Sequence, residues 1–298
     1  MENEERIKCG MVAIVGPPNV GKSTLMNRLL GQKISIVTAK PQTTRNRILG
    51  IVNRPDFQIV LLDTPGLHEG RQPLNREMVK VALASLGEVD AILFMVDPHL
   101  PLPARREILA GYLRGTRQPA ILAVNKVDAV AKEALLPLIE VYRQIHPFTS
   151  IVPVSALQGD GLDLLLRELV AVLPFGPRLY PEDIPTDATE RFIVGEIIRE
   201  KIFLFTGQEV PYSAAVVIED FKEEPERGLV TINATIVVER DSQKAIVIGK
   251  GGTLLKKIGR RARQDIELLL GQRVFLKLWV KVQHHWTRDL NFIKELGV

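Results

Sequence analysis

The sequence is poor in cysteine: Cys9 stands alone among 298 residues. A disulfide framework within the chain and a cysteine-based zinc site are both excluded, and the usage suits a reducing cytoplasm. Long apolar runs are missing too. The opening Met1-Glu2-Asn3-Glu4-Glu5-Arg6-Ile7-Lys8 is charged where a signal peptide is apolar, and no later segment reaches the roughly 18 apolar residues of a membrane span. Charge of one sign is scarce overall, since 39 basic residues face 35 acidic ones and leave a net charge of +4. With 46 % hydrophobic and 25 % charged residues, the length accommodates two globular domains with little room for extensive disorder.

What is present is organised around Gly16-Pro17-Pro18-Asn19-Val20-Gly21-Lys22-Ser23, between the apolar run Met11 to Val15 and the helix-like Thr24 to Leu30. The spacing G-x-x-x-x-G-K-[ST] lets consecutive backbone N–H groups turn inward around a phosphate, at a helix N-terminus that favours anions. Lys22 then reaches the outer phosphates and Ser23 offers its hydroxyl to Mg²⁺. The motif predicts a nucleoside triphosphate site and leaves the base open.

From Met11 to about Leu173, short apolar runs alternate with helix-like stretches, which predicts an α/β domain: a mainly parallel sheet with helices on both faces. The runs are Met11 to Val15, Ile48 to Val52, Gln58 to Leu62, Ala91 to Val96, Ala120 to Val124 and Ile151 to Val154. Ligands of such sheets bind beyond the carboxyl ends of the strands. Asp63-Thr64-Pro65-Gly66 follows the third run and places a carboxylate for Mg²⁺ and a glycine N–H for a terminal phosphate. Asn125-Lys126-Val127-Asp128 follows the fifth: Asp128 accepts from two N–H groups that guanine has and adenine lacks, while Asn125 ties this loop to the phosphate loop. Ser155-Ala156-Leu157 follows the sixth, with the Ala156 N–H available to the guanine oxygen.

Pro174 to Asp187 carries four prolines and no sustained period, so it reads as a linker. We bound it at residues 176–188, between a nucleotide domain over 1–175 and a second domain over 189–298. That second domain reads helix (Glu190 to Phe203), strand (Ser213 to Asp220), strand (Leu229 to Glu239), then Gln243 to Ile248 leading into Gly249-Lys250-Gly251-Gly252, helix (Thr253 to Leu270) and strand (Val274 to Val282). Gly249 to Gly252 fits the GxxG loop of a KH domain of type II, an α+β fold whose loop clamps about four nucleotides of single-stranded RNA. Between Gln243 and Arg288 there are 11 Lys or Arg against 2 acids, whereas Thr189 to Ser242 holds 11 acids and 6 basic residues. The footprint suits a phosphate backbone, with Lys244, Lys250, Lys256, Lys257 and Arg260 as candidate contacts beside Gly249, Gly251 and Gly252. Trp279, Trp286, His284 and His285 are candidates to stack on bases, although Trp279 fits a strand core equally well.

On these motifs, in this order, the chain resembles the translation-factor-related P-loop GTPases, in the branch that carries a C-terminal KH domain. The resemblance covers nearly the whole length. It implies a GTP-hydrolysing switch with GTP or GDP and Mg²⁺ as ligands, a first switch over Gly31 to Arg47 and a second over Gly66 to Arg71. By the family pattern Thr44, with Thr43 as the alternative, closes on Mg²⁺ and the γ-phosphate. Mg²⁺ then sits among Ser23, Thr44 and Asp63, and Lys22, Thr44, Gly66 and Asn19 carry catalysis. Leu67 stands where Ras-like proteins have the glutamine that orients the attacking water, and His68 and Glu69 read as exposed loop residues. In similar GTPases lacking that glutamine, a K⁺ ion bound by an asparagine at the Asn19 position and by the first switch supplies positive charge between the phosphates instead; intrinsic hydrolysis is expected to be slow. The resemblance further implies 16S ribosomal RNA near its 3′ end and the small ribosomal subunit as partners, a monomer, and a cytoplasmic location with peripheral association at the inner membrane surface. The alternative is an RNA-binding chaperone for which nucleotide is only a structural ligand. RNA affinities that are equal with GTP and GDP would favour it.

Overall fold

In a computed structural model of the chain, residues 6–38, 40, 44–64, 87–99, 116–207 and 209–296 are described, and they fall into two compact units. In the first, the six apolar runs become strands β1 (Ile7–Val15), β2 (Ile48–Asn53), β3 (Phe57–Asp63), β4 (Ala91–Val96), β5 (Ala120–Val124) and β6 (Ser150–Pro153). Their order is β2-β3-β1-β4-β5-β6, parallel throughout except for β2, which runs antiparallel to β3. Every residue of β4 and β5 is buried, as continuous apolar strands must be when helices cover both faces. One face holds Ala13, Val60, Leu62, Phe94 and Leu122 against Tyr142, Leu138 and Ile145 of helix α2 (Leu135–Ile145). On the opposite face lies α1 (Lys22–Leu30), whose Met26 and Leu30 meet Gly50, and α3 (Leu162–Val172), which packs on β1, β4, β5 and β6.

The sequence expectation of a linker over 176–188 meets a more ordered segment. Strand β7 (Phe175–Gly176) pairs antiparallel with Ile7 and Lys8 of β1. Gln58, fully buried in β3, accepts from the Leu179 and Tyr180 N–H groups at 2.7 and 3.0 Å and donates to the Tyr180 carbonyl at 2.8 Å. Farther on, Ile51 N–H donates to the Pro185 carbonyl and Thr186 Oγ1 to the Leu49 carbonyl. The segment is thus a strap across β1, β3 and β2, with Tyr180 and Ile184 packed on the apolar cluster.

The second unit begins with α4 (Glu190–Phe205), N-capped by Thr189, whose hydroxyl accepts from the Phe192 N–H. Next come β8 (Ala215–Glu224), β9 (Leu229–Val238), α5 (Asp241–Ile248), α6 (Thr253–Leu270), β10 (Arg273–Val282) and a closing α7 (Leu290–Glu295). The sheet order is β10-β9-β8, with β9 and β10 parallel. Helix α6 turns Ile258, Ala262 and Ile266 inward at four-residue spacing, and Gly259 allows Leu278 of β10 to approach it. The strand expected from Ser213 starts at Ala215, because Pro211 sets a short 3₁₀ turn over Val210–Ser213. A second correction concerns Trp286, a candidate base-stacking residue. Its ring is wholly buried, donates Nε1–H to the Ser213 carbonyl at 2.9 Å and meets the Phe292 ring edge-on, so it belongs to the core of this unit. Among the described residues no helix is long and apolar enough to cross a membrane.

Replacing Gln58 by Leu would leave the Leu179 and Tyr180 amides without their acceptor. Each unsatisfied buried group costs about 1–3 kcal/mol, so we expect the first unit to melt roughly 5–15 °C lower, with new protease cuts between residues 177 and 187. An unchanged melting point and cleavage pattern would show that the strap is not held by Gln58.

Candidate nucleotide and RNA sites

The phosphate loop leaves β1 at Gly16 and enters α1 at Lys22. Asn19, exposed at its tip, and Gly21 take positive φ angles of 61° and 102°. At Gly21 only glycine fits: a Cβ there would lie 2.3 Å from Asn125 Nδ2. Pro17, Pro18 and Val20 complete the turn. The buried Lys22 ammonium donates to the Gly16 and Pro17 carbonyls at 3.0 Å each. Burial lowers its pKa to about 8, and the negative charge of Asp63 works in the opposite direction. The ammonium therefore sits inside the loop.

Asp63 ends β3, fully buried, with Ile14 of β1 as its parallel neighbour. Its Oδ2 accepts from Ser23 Oγ at 2.6 Å and from Ser35 Oγ at 2.9 Å, and Ser23 Oγ lies 3.1 Å from Thr44 Oγ1. Burial pushes the carboxyl pKa up, opposed by Lys22 and by these hydroxyls. Asp63 Oδ1 is buried without a hydrogen-bond partner among the described residues. A carboxylate with an unused oxygen beside two hydroxyls is a hard, all-oxygen donor set, which fits Mg²⁺. Thr64 turns away and donates to the Ile14 carbonyl at 2.8 Å. Ser35 was not anticipated, nor was Asn27, whose side chain holds the Ile34 and Ser35 backbone. The one available signal was a serine between Ile34 and Ile36.

The loops after β1, β5 and β6 converge on one side chain. Asn125 donates Nδ2–H to the Val20 carbonyl at 2.7 Å and accepts the Ala156 N–H on Oδ1 at 2.9 Å. The Ala156 N–H expected for a guanine oxygen is thus given to Asn125 in this arrangement. Lys126 has φ 63° and pairs with Asp97 at 2.6 Å, a partner the sequence did not suggest. Val127 and Asp128 begin a 3₁₀ turn that leaves the Asp128 carboxylate exposed. Ser155 is buried, its hydroxyl accepting the Gln158 N–H, while Leu157 is exposed. Pro65, Gly66, Leu67, His68, Glu69 and the rest of the second switch lie outside the described residues, as does Thr43.

In the second unit, Gly249, Gly251 and Gly252 take φ of 70°, 60° and 78°, angles that strain any L side chain. A Cβ on Gly249 would lie 2.8 Å from Leu254 Cβ, whereas Gly251 and Gly252 face open space. The loop is thus open on the side of Gly251 and Gly252. Lys250, Lys256 and Arg260 are exposed around it and Lys244 is half-buried. Lys257 instead lies over the Phe205 ring of α4 at 4.3 Å, a cation–π contact that engages it apart from the loop. Ile246, nearly half exposed on α5, was not foreseen and adds an apolar surface on the helix that leads into the loop.

Two family descriptions match the chain: 50S ribosome-binding GTPase over residues 11–126 and KH domain over residues 209–287. The chain is similar to the GTPase Era of Geotalea uraniireducens (strain Rf4), with 53 % identity over 99 % of both chains, and to that of Geobacter metallireducens (strain ATCC 53774 / DSM 7210 / GS-15), with 51 % over 99 % of both. Among solved structures, a point variant of Aquifex aeolicus Era bound to GDP·AlF₄⁻ superposes with a TM-score of 0.94 at 44 % identity, covering 98 % of this chain and 99 % of that one. An Era in complex with MgGDPNP and nucleotides 1506–1542 of 16S ribosomal RNA gives 0.94 at 45 % identity, with the same coverage.

Asn125→Ala removes an acceptor from the Ala156 amide and a donor from the Val20 carbonyl. At about 3 kcal/mol for the pair, guanine-nucleotide affinity is expected to fall roughly a hundredfold, and the nucleotide-free protein should melt lower as well. A loss of affinity with no change in melting would mean that Asn125 touches only the ligand.

Proposed function

We propose, on the premise that this chain belongs to the Era family of GTPases and hydrolyses GTP to GDP and phosphate, that it binds the single-stranded 3′ region of 16S ribosomal RNA in a nucleotide-dependent manner. On this reading it acts in 16S rRNA processing and biogenesis of the small ribosomal subunit, as a cytoplasmic monomer whose basic face allows peripheral contact with the cell membrane. The G domain occupies residues 1–175 and the KH domain 189–298. The observation that carries the reading is one chain holding both the Ser23, Thr44 and Asp63 oxygen cluster and an open glycine loop in a basic setting.

The loop from Gly16 to Ser23 presents N–H groups to the phosphates and Lys22 exchanges its two carbonyl partners for phosphate oxygens. Ser23, Thr44 and Asp63 hold Mg²⁺, which when bound neutralises charge on the β- and γ-phosphate oxygens. Gly66 offers its N–H to the γ-phosphate. Asp128, exposed and acceptor-only when ionised, selects guanine over adenine, Asn125 fixes its loop, and Ser155, Ala156 and Leu157 border the base. With Leu67 unable to orient water, Asn19 would hold a K⁺ ion that supplies positive charge beside the phosphates. Hydrolysis should rise when Na⁺ is exchanged for K⁺ at equal ionic strength, and Asn19→Ala should remove most of that gain while leaving GDP binding largely intact; identical rates in both salts would refute the assignment.

For the RNA clamp, Lys250→Asp combined with Gly251→Asp sets two negative charges against the backbone to be held. Repulsion at about 4 Å and an effective dielectric near 20 is roughly 4 kcal/mol per charge pair, and a tenfold loss needs only about 1.4 kcal/mol. RNA affinity is expected to fall at least about tenfold with a shallower salt dependence, and the melting of the G domain should not move. Affinity equal to that of the parent would reduce Gly249 to Gly252 to an ordinary turn. Equal RNA affinities of the parent with GTP and GDP would favour the chaperone reading.

A further inference from the structure

Strand β10 is an edge strand, and its residues alternate without exception. Val274 is buried and Leu276, Leu278, Val280 and Val282 are partly covered, with Leu278 against Gly259 of α6, so this set faces the helices. The other set, Arg273, Phe275, Lys277, Trp279 and Lys281, is exposed along the face that the helices leave bare. Phe275 is 49 % and Trp279 48 % exposed, and the Lys277 ammonium lies over the Phe275 ring at 5.7 Å, a long contact on the solvent side that a base and a phosphate can replace. Across from them on β9, in register, stand Thr231 opposite Phe275, Asn233 opposite Lys277 and Thr235 opposite Trp279, short polar side chains that do not cover the rings. The cations and aromatics therefore alternate at roughly 6.6 Å along one line, since each strand residue advances about 3.3 Å.

Lysines on an edge strand are explained by protection against strand-to-strand pairing, but exposed aromatics work against that protection. The line carries three positive charges and no acid, and two carboxylates across the sheet are engaged on β9: Asp220 accepts from Asn233 at 2.9 Å and Glu224 from Thr231 at 3.4 Å. Aromatic rings flanked by regularly spaced cations are what a single strand of nucleic acid requires: rings for its bases, cations for its phosphates. We propose that the bare face of β10 is a second RNA surface, in which Phe275 and Trp279 stack bases and Arg273, Lys277 and Lys281 meet phosphates, extending the path of a strand held at Gly249 to Gly252. The choice of RNA as the occupant rests on the reading of the second unit as a KH domain; the platform itself rests on β10 alone.

The test uses the full chain, an unstructured RNA of about five nucleotides, close to what a GxxG loop clamps, and one of about twenty. Phe275→Leu combined with Trp279→Leu keeps the strand apolar but removes the stacking faces, and circular dichroism melting checks that the fold survives. This variant is expected to bind the longer RNA at least about tenfold more weakly and the shorter one within about twofold of the parent. The longer RNA should also quench the fluorescence of the parent, and Trp279→Leu alone should abolish the quenching, since Trp286 is buried. Unchanged affinity for the longer RNA, or no quenching, overturns the proposal. Should the parent associate with itself in a concentration-dependent way that the double variant loses, with RNA affinity equal, β10 is a self-pairing edge and the proposal falls. If the Lys250 and Gly251 variant also binds both RNAs as the parent does, the KH reading fails with it; if that variant weakens both RNAs while the β10 variant weakens neither, only the second surface is refuted.

Discussion

The G domain depends on one costly arrangement, the burial of the Asp63 carboxylate at the end of a strand covered on both faces. A buried charge without compensation is strongly disfavoured, and here the compensation comes from elements far apart in sequence: Ser23 from the first turn of α1, Ser35 from the segment after it, and Lys22 through its charge. The parallel register of β1 and β3 fixes where that carboxylate stands, with Ile14 beside Asp63 and Thr64 bonded back to the Ile14 carbonyl. The phosphate loop leaves the same sheet edge one residue after Val15. The apolar sheet therefore does more than stabilise; its register sets the distance between the lysine and the carboxylate. Asn125 performs the corresponding service on the base side, fastening two loops to each other through one amide.

Much of this was legible in the sequence because each apolar run of the first unit ends in its own chemistry. The six runs map onto six strands within a few residues, and Thr253 to Leu270 is a helix with the limits expected. What stayed hidden has a common cause: single side chains whose partners are remote in sequence. Ser35 and Asn27 carry no period and belong to no motif, yet they shape the approach to Asp63. Trp286 follows two histidines in an aperiodic stretch, and its partners include the Ser213 carbonyl, 73 residues earlier. The strap was hidden behind its prolines, which do end regular structure but do not prevent docking. Its anchor was visible as an anomaly, a glutamine inside the run Phe57-Gln58-Ile59-Val60, where a buried amide demands partners. The Lys257 contact with Phe205 illustrates the opposite limit: charge counting locates a basic face but cannot say which of its lysines are already engaged.

The strap also decides how the chain transmits force. It starts on β1, passes Gln58 on β3 and ends where Thr186 grips the carbonyl of Leu49, one residue after Ile48, the antiparallel neighbour of Asp63. Tension applied along the chain from beyond Thr186 therefore reaches the G domain at the first residues of β2. β2 is an edge strand, and one pulled from its end separates bond by bond, with less resistance than a strand sheared along its whole length. The same residues follow the segment that holds Thr44. Load entering the strap at Thr186 thus meets the edge strand β2 before it meets β3 or β1.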